Sequence, residues 1–336
     1  MKDRALIGLL CQNLNPVPFY NHCKDMPVRI IKFKAGGIDW KKKRLNGIIL
    51  ENGEWTKAET PMPDAVYNRC YTDSAETAER LEGIIGRGKV FNGLTLFDKY
   101  TVFRILSNSK LEPFVIPTFK YSDEALIKLL YYQGAALIKP SKGSMGSRVY
   151  KISMENSIYK VYLHSLLSPK IFKQTEALLN FLTGMMKRRN FVIQPFINFM
   201  RHNGHIFDIR LLVQKNGRGT WDVTATASRV CYKSSFVSNL VYSLKSVEDV
   251  ISGTKYEESL MPCLKKISIQ TAVTLEKSLC NLGEISVDFG IDTEGRLWII
   301  EVNGKPDKLM FQHLESGVFE KLFRQPIEYA LYLARH

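Results

Sequence analysis

The sequence lacks the residue patterns that mark several large classes of protein. Its six cysteines are scattered and none belongs to a C-x-x-C pair, so zinc-site spacing is absent, and a chain of this length does not depend on disulfide bonds. We therefore expect reduced thiols, as in the cytosol. No stretch approaches the ~20 consecutive apolar residues of a membrane-spanning helix. The run Ala5–Leu10 follows Lys2 and Arg4 as in a signal peptide, but it is too short, and we expect a buried strand there.

Motifs of covalent catalysis are missing as well. The sequence contains no G-x-S-x-G motif, and neither its cysteines nor its histidines form a spacing that supports a nucleophile pair or a metal site. It also lacks internal repeats and low-complexity tracts. The sequence therefore offers no Cys/His nucleophile pair and no serine nucleophile motif.

The balance of charge is strongly basic. The chain carries 47 Lys and Arg against 33 Asp and Glu, a formal net charge of +14. Such a surplus attracts anions, but the densest basic run, at residues 41–44, has no interleaved aromatic residues and predicts a solvated loop. No specific nucleic-acid partner is indicated. We expect either an anionic partner, such as an acidic peptide or an anionic envelope polymer, or a charge that serves only solubility.

The order of predicted elements divides the 336 residues into three parts. Short strands and two helices, the second beginning at an Asp98 cap, predict a small N-terminal α/β domain over residues 1–110. An amphipathic helix beginning at Ser122 and a set of strands predict a first α+β lobe over 111–190. Residues 191–336 are rich in strands and predict a second α+β lobe. This pattern is typical of two α+β lobes that clamp a ligand.

Two carboxylates and an amide lie on the last predicted hairpin, at Asp288, Glu301 and Asn303. If residues 292–295 form a four-residue turn, Asp288 faces Ile299 and Glu301 is its diagonal neighbour, ~7–8 Å away. In this register Val287, Phe289, Trp298 and Ile300 point to the opposite face. Oxygen ligands of this kind suit Mg²⁺. The alternative is a solvated sheet face with incidental acids.

A loop of small residues follows the strand that ends at Lys139. Glycine and serine residues let backbone N–H groups and hydroxyls approach a phosphate, and Lys139 would supply a fixed positive charge. The spacing is not that of a Walker A motif, and an ordinary hairpin loop is the alternative. The candidate residues in this loop are Ser141, Gly143, Ser144, Gly146 and Ser147.

Arg210 and Arg229 each interrupt a strand that is otherwise apolar or small. An inward-pointing arginine needs an anionic partner, because a buried unpaired charge is very costly. A structural carboxylate, Asp208 or Asp222, would satisfy this need. A phosphate group, whose oxygens match the guanidinium fork, would satisfy it equally well.

Taken in order, these motifs resemble the ATP-grasp superfamily, and the resemblance spans roughly residues 98–306. The segment Gly290–Asn303 is similar in sequence to the YheC/YheD-type proteins of spore-forming bacteria, which are named as spore-coat-associated. The resemblance implies the ATP-grasp fold, with ATP and Mg²⁺ bound between the lobes. It assigns nucleotide contacts to Lys99, Lys139, the loop 141–147, Gln194, Phe196 and Ile197, the transferring phosphate to Arg210, Arg229 and Asn239, and the metal to Asp288, Glu301 and Asn303.

The resemblance also implies an activity, a carboxylate–amine ligase. A substrate carboxylate would attack the γ-phosphate of ATP to give an acyl-phosphate, and an amine would then displace phosphate. This chemistry needs no side-chain nucleophile. Two alternatives stay open: an ATP-dependent kinase on the same fold, and a non-catalytic binding or coat-assembly protein.

Overall fold

The structure, a computed structural model, describes residues 4–71, 74–143, 148–163, 166–186, 190–237, 240–254 and 257–336. The first of its three sheets has the strand order β4-β3-β2-β1-β5-β6. Strand β1 is parallel to β2 and β5, and β5 is parallel to β6, whereas β3 and β4 extend the sheet in antiparallel fashion. The strands are β1 (Ala5–Leu10), β2 (Val28–Asp39), β3 (Arg44–Glu51), β4 (Glu54–Pro61), β5 (Ala65–Asn68) and β6 (Val90–Phe91), with a 3₁₀ helix at Pro18–Cys23 and helix α1 (Ala75–Ile85).

The helix that links the first sheet to the rest of the chain, α2 (Lys99–Ser107), begins as the sequence predicts. The Asp98 carboxylate accepts a hydrogen bond of 2.9 Å from the Thr101 N–H and so satisfies one of the free donors of the first turn. This cap fixes the position of Lys99 at the start of the helix. A 3₁₀ turn, Glu112–Phe114, follows.

The second sheet is antiparallel and has the order β11-β10-β9-β8-β12-β7. Helix α3 of this lobe begins at the Ser122 cap and ends at Gly134, whose φ of 71° is the left-handed conformation that glycine adopts most easily. The elements are β7 (Phe119–Lys120), α3 (Asp123–Gln133), β8 (Ala135–Pro140), β9 (Tyr150–Glu155), β10 (Ile158–Tyr162), β11 (Lys170–Phe172), α4 (Thr175–Met186) and β12 (Phe191–Pro195).

The third sheet is also antiparallel, with the order β16-β15-β14-β17-β18, and β13 pairs with β14. Every residue of β17, the strand between β14 and β18, is buried, including the polar ones. A solvated sheet face is therefore wrong for Asp288. The elements are β13 (Arg201–His202), β14 (His205–Lys215), β15 (Trp221–Cys231), β16 (Val241–Lys245), α5 (Val247–Ile251), α6 (Leu260–Ser278), β17 (Glu284–Ile291), β18 (Leu297–Asn303), a 3₁₀ turn at Leu309–Phe311 and α7 (Ser316–Arg335).

The hydrophobic clusters differ in extent from the three sequence-based domains. Phe97 and Leu106 pack in the core of the third sheet, although the boundary at 110 assigned them to the N-terminal domain. Leu111, the first residue of the expected first lobe, packs there too. Strand β12 pairs with β8 and β7 in the second sheet, although the boundary at 190 placed it in the last lobe. Helix α7 packs against β1 and β5 of the first sheet. The three parts are thus joined by shared cores.

Within the described part of the chain, none of the helices has the length and apolar character needed to cross a membrane.

Candidate nucleotide and substrate site

The two acidic residues of the last hairpin lie directly opposite each other. Asp288 pairs with Glu301, and Ser286 pairs with Asn303. The expected diagonal arrangement is wrong for two reasons. The hairpin loop is one residue longer than expected, so that Ile291 pairs with Leu297, and a β-bulge between Asp288 and Phe289 leaves Ile300 as a further extra residue. The bulge brings the two carboxylates closer along the strands than the unbroken register would.

The longer loop also changes which hydrophobic residues of β18 face the core. Leu297 and Ile299 pack with Val287 and Phe289, whereas Ile300 lines the cleft. Trp298 instead donates a 2.7 Å hydrogen bond to the Asp292 carboxylate. The expectation that Trp298 and Ile300 share the face of Phe289 is therefore wrong, because the longer loop pairs Phe289 with Ile299 and so reverses the alternation between the two faces.

Charged side chains on β14 and β15 lie next to the Asp288–Glu301 pair and form a row with it across the sheet. Arg210 lies opposite Asp288 in the sheet and forms a two-pronged contact with it, Nε to Oδ1 at 2.7 Å and Nη2 to Oδ2 at 2.6 Å. Arg229 lies opposite Asp208, donates to its carboxylate through Nε at 2.8 Å, and reaches Asp288 Oδ2 at 2.8 Å. Two arginines and two aspartates therefore form one buried network on the cleft side of the sheet.

The carboxylates of Asp288 and Asp208 are the anionic partners that the two arginines have within the protein. Asp208 is a structural partner of Arg229, whereas Asp222 instead pairs with Lys321 on the surface. Burial would raise the pKa of Asp288, but Arg210 and Arg229 outweigh it and hold that pKa below its usual value. Asp288 is thus kept ionised.

Two lysines face this row from the other side of the cleft. Lys99 Nζ lies 3.0 Å from Glu301 Oε1 and 2.9 Å from the Gly143 carbonyl oxygen, to which it donates. Lys139, at the end of β8, is 8% exposed. Burial lowers the pKa of Lys139 to about 8, although the nearby Glu301 acts in the opposite direction. Both lysines predicted to hold phosphate therefore reach the same cleft as the carboxylates.

Only part of the predicted phosphate loop lies among the described residues. Gly143 lines the cleft. The hydroxyl of Ser141 donates to the Asp98 carboxylate, and its carbonyl oxygen accepts from the Lys99 N–H at 2.8 Å, so this serine holds the loop against α2. Ser144, Gly146 and Ser147 lie outside the described residues, as does Asn239.

Of the three residues predicted to contact adenine, one lines the cleft and two do not. Gln194 lines the cleft, and its Nε2 donates to the Thr118 hydroxyl at 2.7 Å. The Phe196 N–H already donates to the Ala135 carbonyl oxygen at 3.2 Å, and the Phe196 ring packs under Lys151. Phe196 and Ile197 are half-buried, and the cleft lining includes neither. The structure thus brings Gln194, but not these two, to the cleft.

The oxygen ligands predicted for magnesium fit that ion. Asp288 accepts three hydrogen bonds from arginines, which leaves about one of its four lone-pair positions. The buried Asn303 Nδ2 has no hydrogen-bond partner among the described residues, so its amide is not held by the protein. In the described ranges no three His, Cys, Asp or Glu residues cluster as a metal site. Two carboxylates and an amide nevertheless suffice for Mg²⁺ that shares phosphate oxygens.

Several cleft residues were not predicted from the sequence. Lys305 and Tyr71 line both of its adjoining cavities. Tyr71 follows β5 of the first sheet, so the N-terminal domain contributes directly to the cleft. The only signal for Lys305 was its position between Asn303 and Pro306. Thr118, which orients Gln194, had no sequence signal.

The architecture is that of the ATP-grasp fold. A solved ADP complex of N5-carboxyaminoimidazole ribonucleotide synthetase superposes with a TM-score of 0.60 at 12% identity, covering 97% of this chain and 77% of that one. D-alanyl-alanine synthetase A from Vibrio cholerae superposes with a TM-score of 0.54 at 14% identity, covering 100% and 98%. Fold and site together therefore define an ATP-grasp protein.

The chain belongs to the YheC/D-like ATP-grasp family, whose model matches residues 87–333. It is 26% identical over 318 residues to the endospore coat-associated protein YheD of Bacillus subtilis, covering 90% of this chain and 70% of that protein. It is 24% identical over 326 residues to the endospore coat-associated protein YheC of the same organism, covering 92% and 89%.

Replacing Lys139 by methionine should weaken ATP binding about tenfold, because a charged contact to phosphate is lost while the apolar stem remains. The affinity of the unchanged protein should fall as pH rises through about 8, where Lys139 loses its proton, and the variant should lack this step. Calorimetry with Mg²⁺ measures both. Lys160→Met, which removes a lysine from β10 of the same sheet outside the cleft lining, is the control. Equal ATP affinity in all three proteins would remove Lys139 from the site.

Proposed function

We propose that this protein is an ATP- and magnesium-dependent ligase that joins a carboxylate to an amine through an acyl-phosphate. The observation that carries the proposal is the meeting of four cationic side chains around the Asp288–Glu301 pair in one cleft. Lys99 and Lys139 come from one wall, and Arg210 and Arg229 come from the other. Phosphoryl transfer needs positioning and neutralisation of charge more than a protein nucleophile, and this cleft supplies both.

Each residue has a role that follows from its position. Lys139 and Lys99 would bind the phosphates of ATP, and Gln194, fixed by Thr118, would accept a hydrogen bond from the adenine amino group. Arg210 and Arg229, held in place by the aspartates, would stabilise the charge of the transferring group. These guanidinium groups are oriented before substrate arrives, so little reorganisation accompanies the reaction.

Asp288, Glu301 and Asn303 would hold Mg²⁺, which when bound neutralises phosphate charge and helps to align the β- and γ-phosphates. Glu301 has a second role. It lies 3.0 Å from Lys99 and so fixes that lysine at the phosphate position. The buried network beneath, from Asp208 to Asp288, keeps the row of charges in register.

The proposal is tested by trapping the intermediate with hydroxylamine. Hydroxylamine replaces the amine, so an acyl-phosphate gives a hydroxamate and free phosphate, and ADP forms in equal amount. Pools of amino acids, acidic peptides and anionic envelope polymers serve as carboxylates. The acidic pools deserve priority because the net charge of +14 favours encounter with anions.

We expect at least one pool to give ADP and hydroxamate in equal amounts. Without hydroxylamine, the same pool should give ADP only if it also contains the acceptor amine. A stable phosphorylated product without hydroxamate would instead identify a kinase. ATP binding without ADP release in every pool would identify a binding protein. Because two relatives are named endospore coat-associated, we propose that the substrate belongs to the coat or envelope of a spore.

A further inference from the structure

Lys305 lies on a stretch of backbone that the N-terminal sheet holds from both sides. The Gly304 carbonyl oxygen accepts a 2.7 Å hydrogen bond from Asn92 Nδ2, and the Pro306 carbonyl oxygen accepts one of 3.4 Å from Arg69 Nη2. A Cβ atom at Gly304 would lie 2.8 Å from the Phe97 ring, so the backbone there packs closely against Phe97. The position of Lys305 is therefore fixed before any ligand binds.

The charged end of Lys305 has no acidic partner. Its Nζ lies 2.9 Å from the centroid of the Tyr71 ring, and among the described residues no carboxylate oxygen comes within 4.0 Å of it. In the same cleft Lys99, Arg210 and Arg229 are all paired with carboxylates. The neighbouring Asp307 carboxylate instead accepts from the Leu309 N–H at 3.0 Å. Lys305 is thus a preformed cation that lacks an anion.

The location of this cation indicates which ligand it serves. Lys305 lines both cavities of the cleft, together with Glu301, Asn303 and Tyr71. Tyr71 comes after the carboxyl end of β5, a parallel strand of the first sheet. Ligands of open α/β sheets bind at that edge. An anion here would lie beside the expected phosphate position without needing Lys99 or Lys139.

We propose that Lys305 binds the carboxylate of the substrate that is to be activated. This inference rests on the proposed ligase function. A hydrogen bond from an ammonium group to a carboxylate is stronger than its contact with the half-exposed Tyr71 ring, so the substrate would draw Nζ away from the ring. The same charge could meet the γ-phosphate of ATP, and the experiment separates these two sources of anion.

The test compares Lys305→Met with Lys305→Arg, which keeps the charge, and with Lys57→Met, which removes an exposed lysine from β4. Melting curves first establish that each variant is folded. Malonate is then added to the Mg²⁺–ADP form of each protein, against sodium chloride at equal ionic strength. We expect malonate to stabilise the unchanged protein, Lys305→Arg and Lys57→Met, and to lose its effect on Lys305→Met.

Calorimetry with ATP and with ADP identifies the source of the anion. We expect Lys305→Met to bind both nucleotides as the unchanged protein does. Weaker binding of ATP but not of ADP would place Lys305 at the γ-phosphate and overturn the inference, as would a malonate response that is the same in Lys305→Met or missing from the unchanged protein.

A turnover measurement separates this inference from the ligase proposal. With the carboxylate pool that yields ADP, Lys305→Met should raise the KM for the carboxylate about tenfold and leave the KM for ATP unchanged. If no pool yields ADP, the ligase proposal fails, while the malonate comparison still decides whether Lys305 binds a carboxylate.

Discussion

Replacing Glu284 by glutamine should lower the free energy of unfolding by about 3–5 kcal/mol, because it removes the only acid of a buried charge cluster. The Glu284 side chain is fully buried on β17 and lies 2.7 Å from Arg69 Nη1 and 2.7 Å from Lys308 Nζ. Tyr67 and Gln214 also donate to it. These partners come from the first sheet, the third sheet and the segment after β18. The cluster therefore joins the N-terminal domain to the strands that carry the site.

The pH dependence of this effect can be worked out from Lys308. Burial lowers the pKa of Lys308 to about 8, and Glu284 opposes that shift. In the glutamine variant the pKa of Lys308 falls further, so this lysine can lose its proton at a lower pH than in the unchanged protein. The destabilisation should thus be greatest in mildly acidic solution and shrink as pH rises toward 8. Arg69 stays charged over this pH range, so the part of the destabilisation that comes from its unpaired charge remains.

Denaturant unfolding measures the effect, with Glu294→Gln in the exposed turn of the same hairpin as the matched control. The double variant Glu284→Gln/Lys308→Met should be more stable than Glu284→Gln alone, because the unpaired lysine is removed as well. Our account of the cluster is wrong if Glu284→Gln unfolds at the same denaturant concentration as Glu294→Gln.

The loss of stability of the unchanged protein in acid gives an independent check on Glu284. Burial would raise the pKa of Glu284, but Lys308 and Arg69 outweigh it and hold the pKa below 4.5. A depressed carboxyl pKa contributes stability above the unfolded value, and this contribution is lost as pH falls toward the folded value. The Glu284→Gln variant should therefore lose less stability than the unchanged protein on acidification below about pH 4.5.

The sequence predicted those parts of the site that depend on local pattern. Asp98 caps α2 and so places Lys99, and the strand ending at Lys139 brings that lysine to the cleft. The alternation of the last hairpin placed Asp288, Glu301 and Asn303 on one face. Each of these features is fixed by residues within a few positions of each other, and that is the range over which caps and alternation can be read.

The features that the sequence did not predict are decided by packing between distant segments. The longer loop of the hairpin puts Leu297 and Ile299 into the core, and the bulge at Ile300 sets Asp288 opposite Glu301. The partners of Glu284 lie 215 residues away at Arg69 and 217 away at Tyr67. Neither residue carries a local signal of this contact, because an isolated Arg or Tyr near a strand end is ordinary.

Strand β2 was not predicted from the sequence, and contacts with other strands again explain why. The longest strand of the first sheet, β2 (Val28–Asp39), shows buried residues at its start and exposed ones in the middle, where Lys34, Ala35 and Gly36 interrupt the apolar pattern. Its pairing with β3 shifts register between Phe33 and Ile38. A strand that bends in this way is held by its neighbours on both sides rather than by its own alternation.

Replacing Glu301 by glutamine should reduce turnover about a hundredfold while the protein stays folded, because removing one group that stabilises the charge of a transition state typically costs about that much. Glu301 faces Asp288 across the bulge and holds Lys99 at 3.0 Å. The amide keeps the shape of the side chain but removes the negative charge that would bind Mg²⁺. The variant should therefore also lose most of the gain in ATP affinity that Mg²⁺ provides in the unchanged protein.

The stability of Glu301→Gln should change by less than about 1 kcal/mol, since the Lys99–Glu301 pair is partly open to solvent and such pairs contribute little. This separates Glu301 from Glu284, which lies on the same hairpin but should act on stability. Calorimetry of ATP with and without Mg²⁺, ADP release with the active carboxylate pool, and denaturant unfolding are measured on Glu301→Gln and on Glu294→Gln. If Glu301→Gln loses stability while its Mg²⁺-dependent ATP affinity and its turnover per folded molecule stay unchanged, then Glu301 supports the hairpin and takes no part in binding the metal.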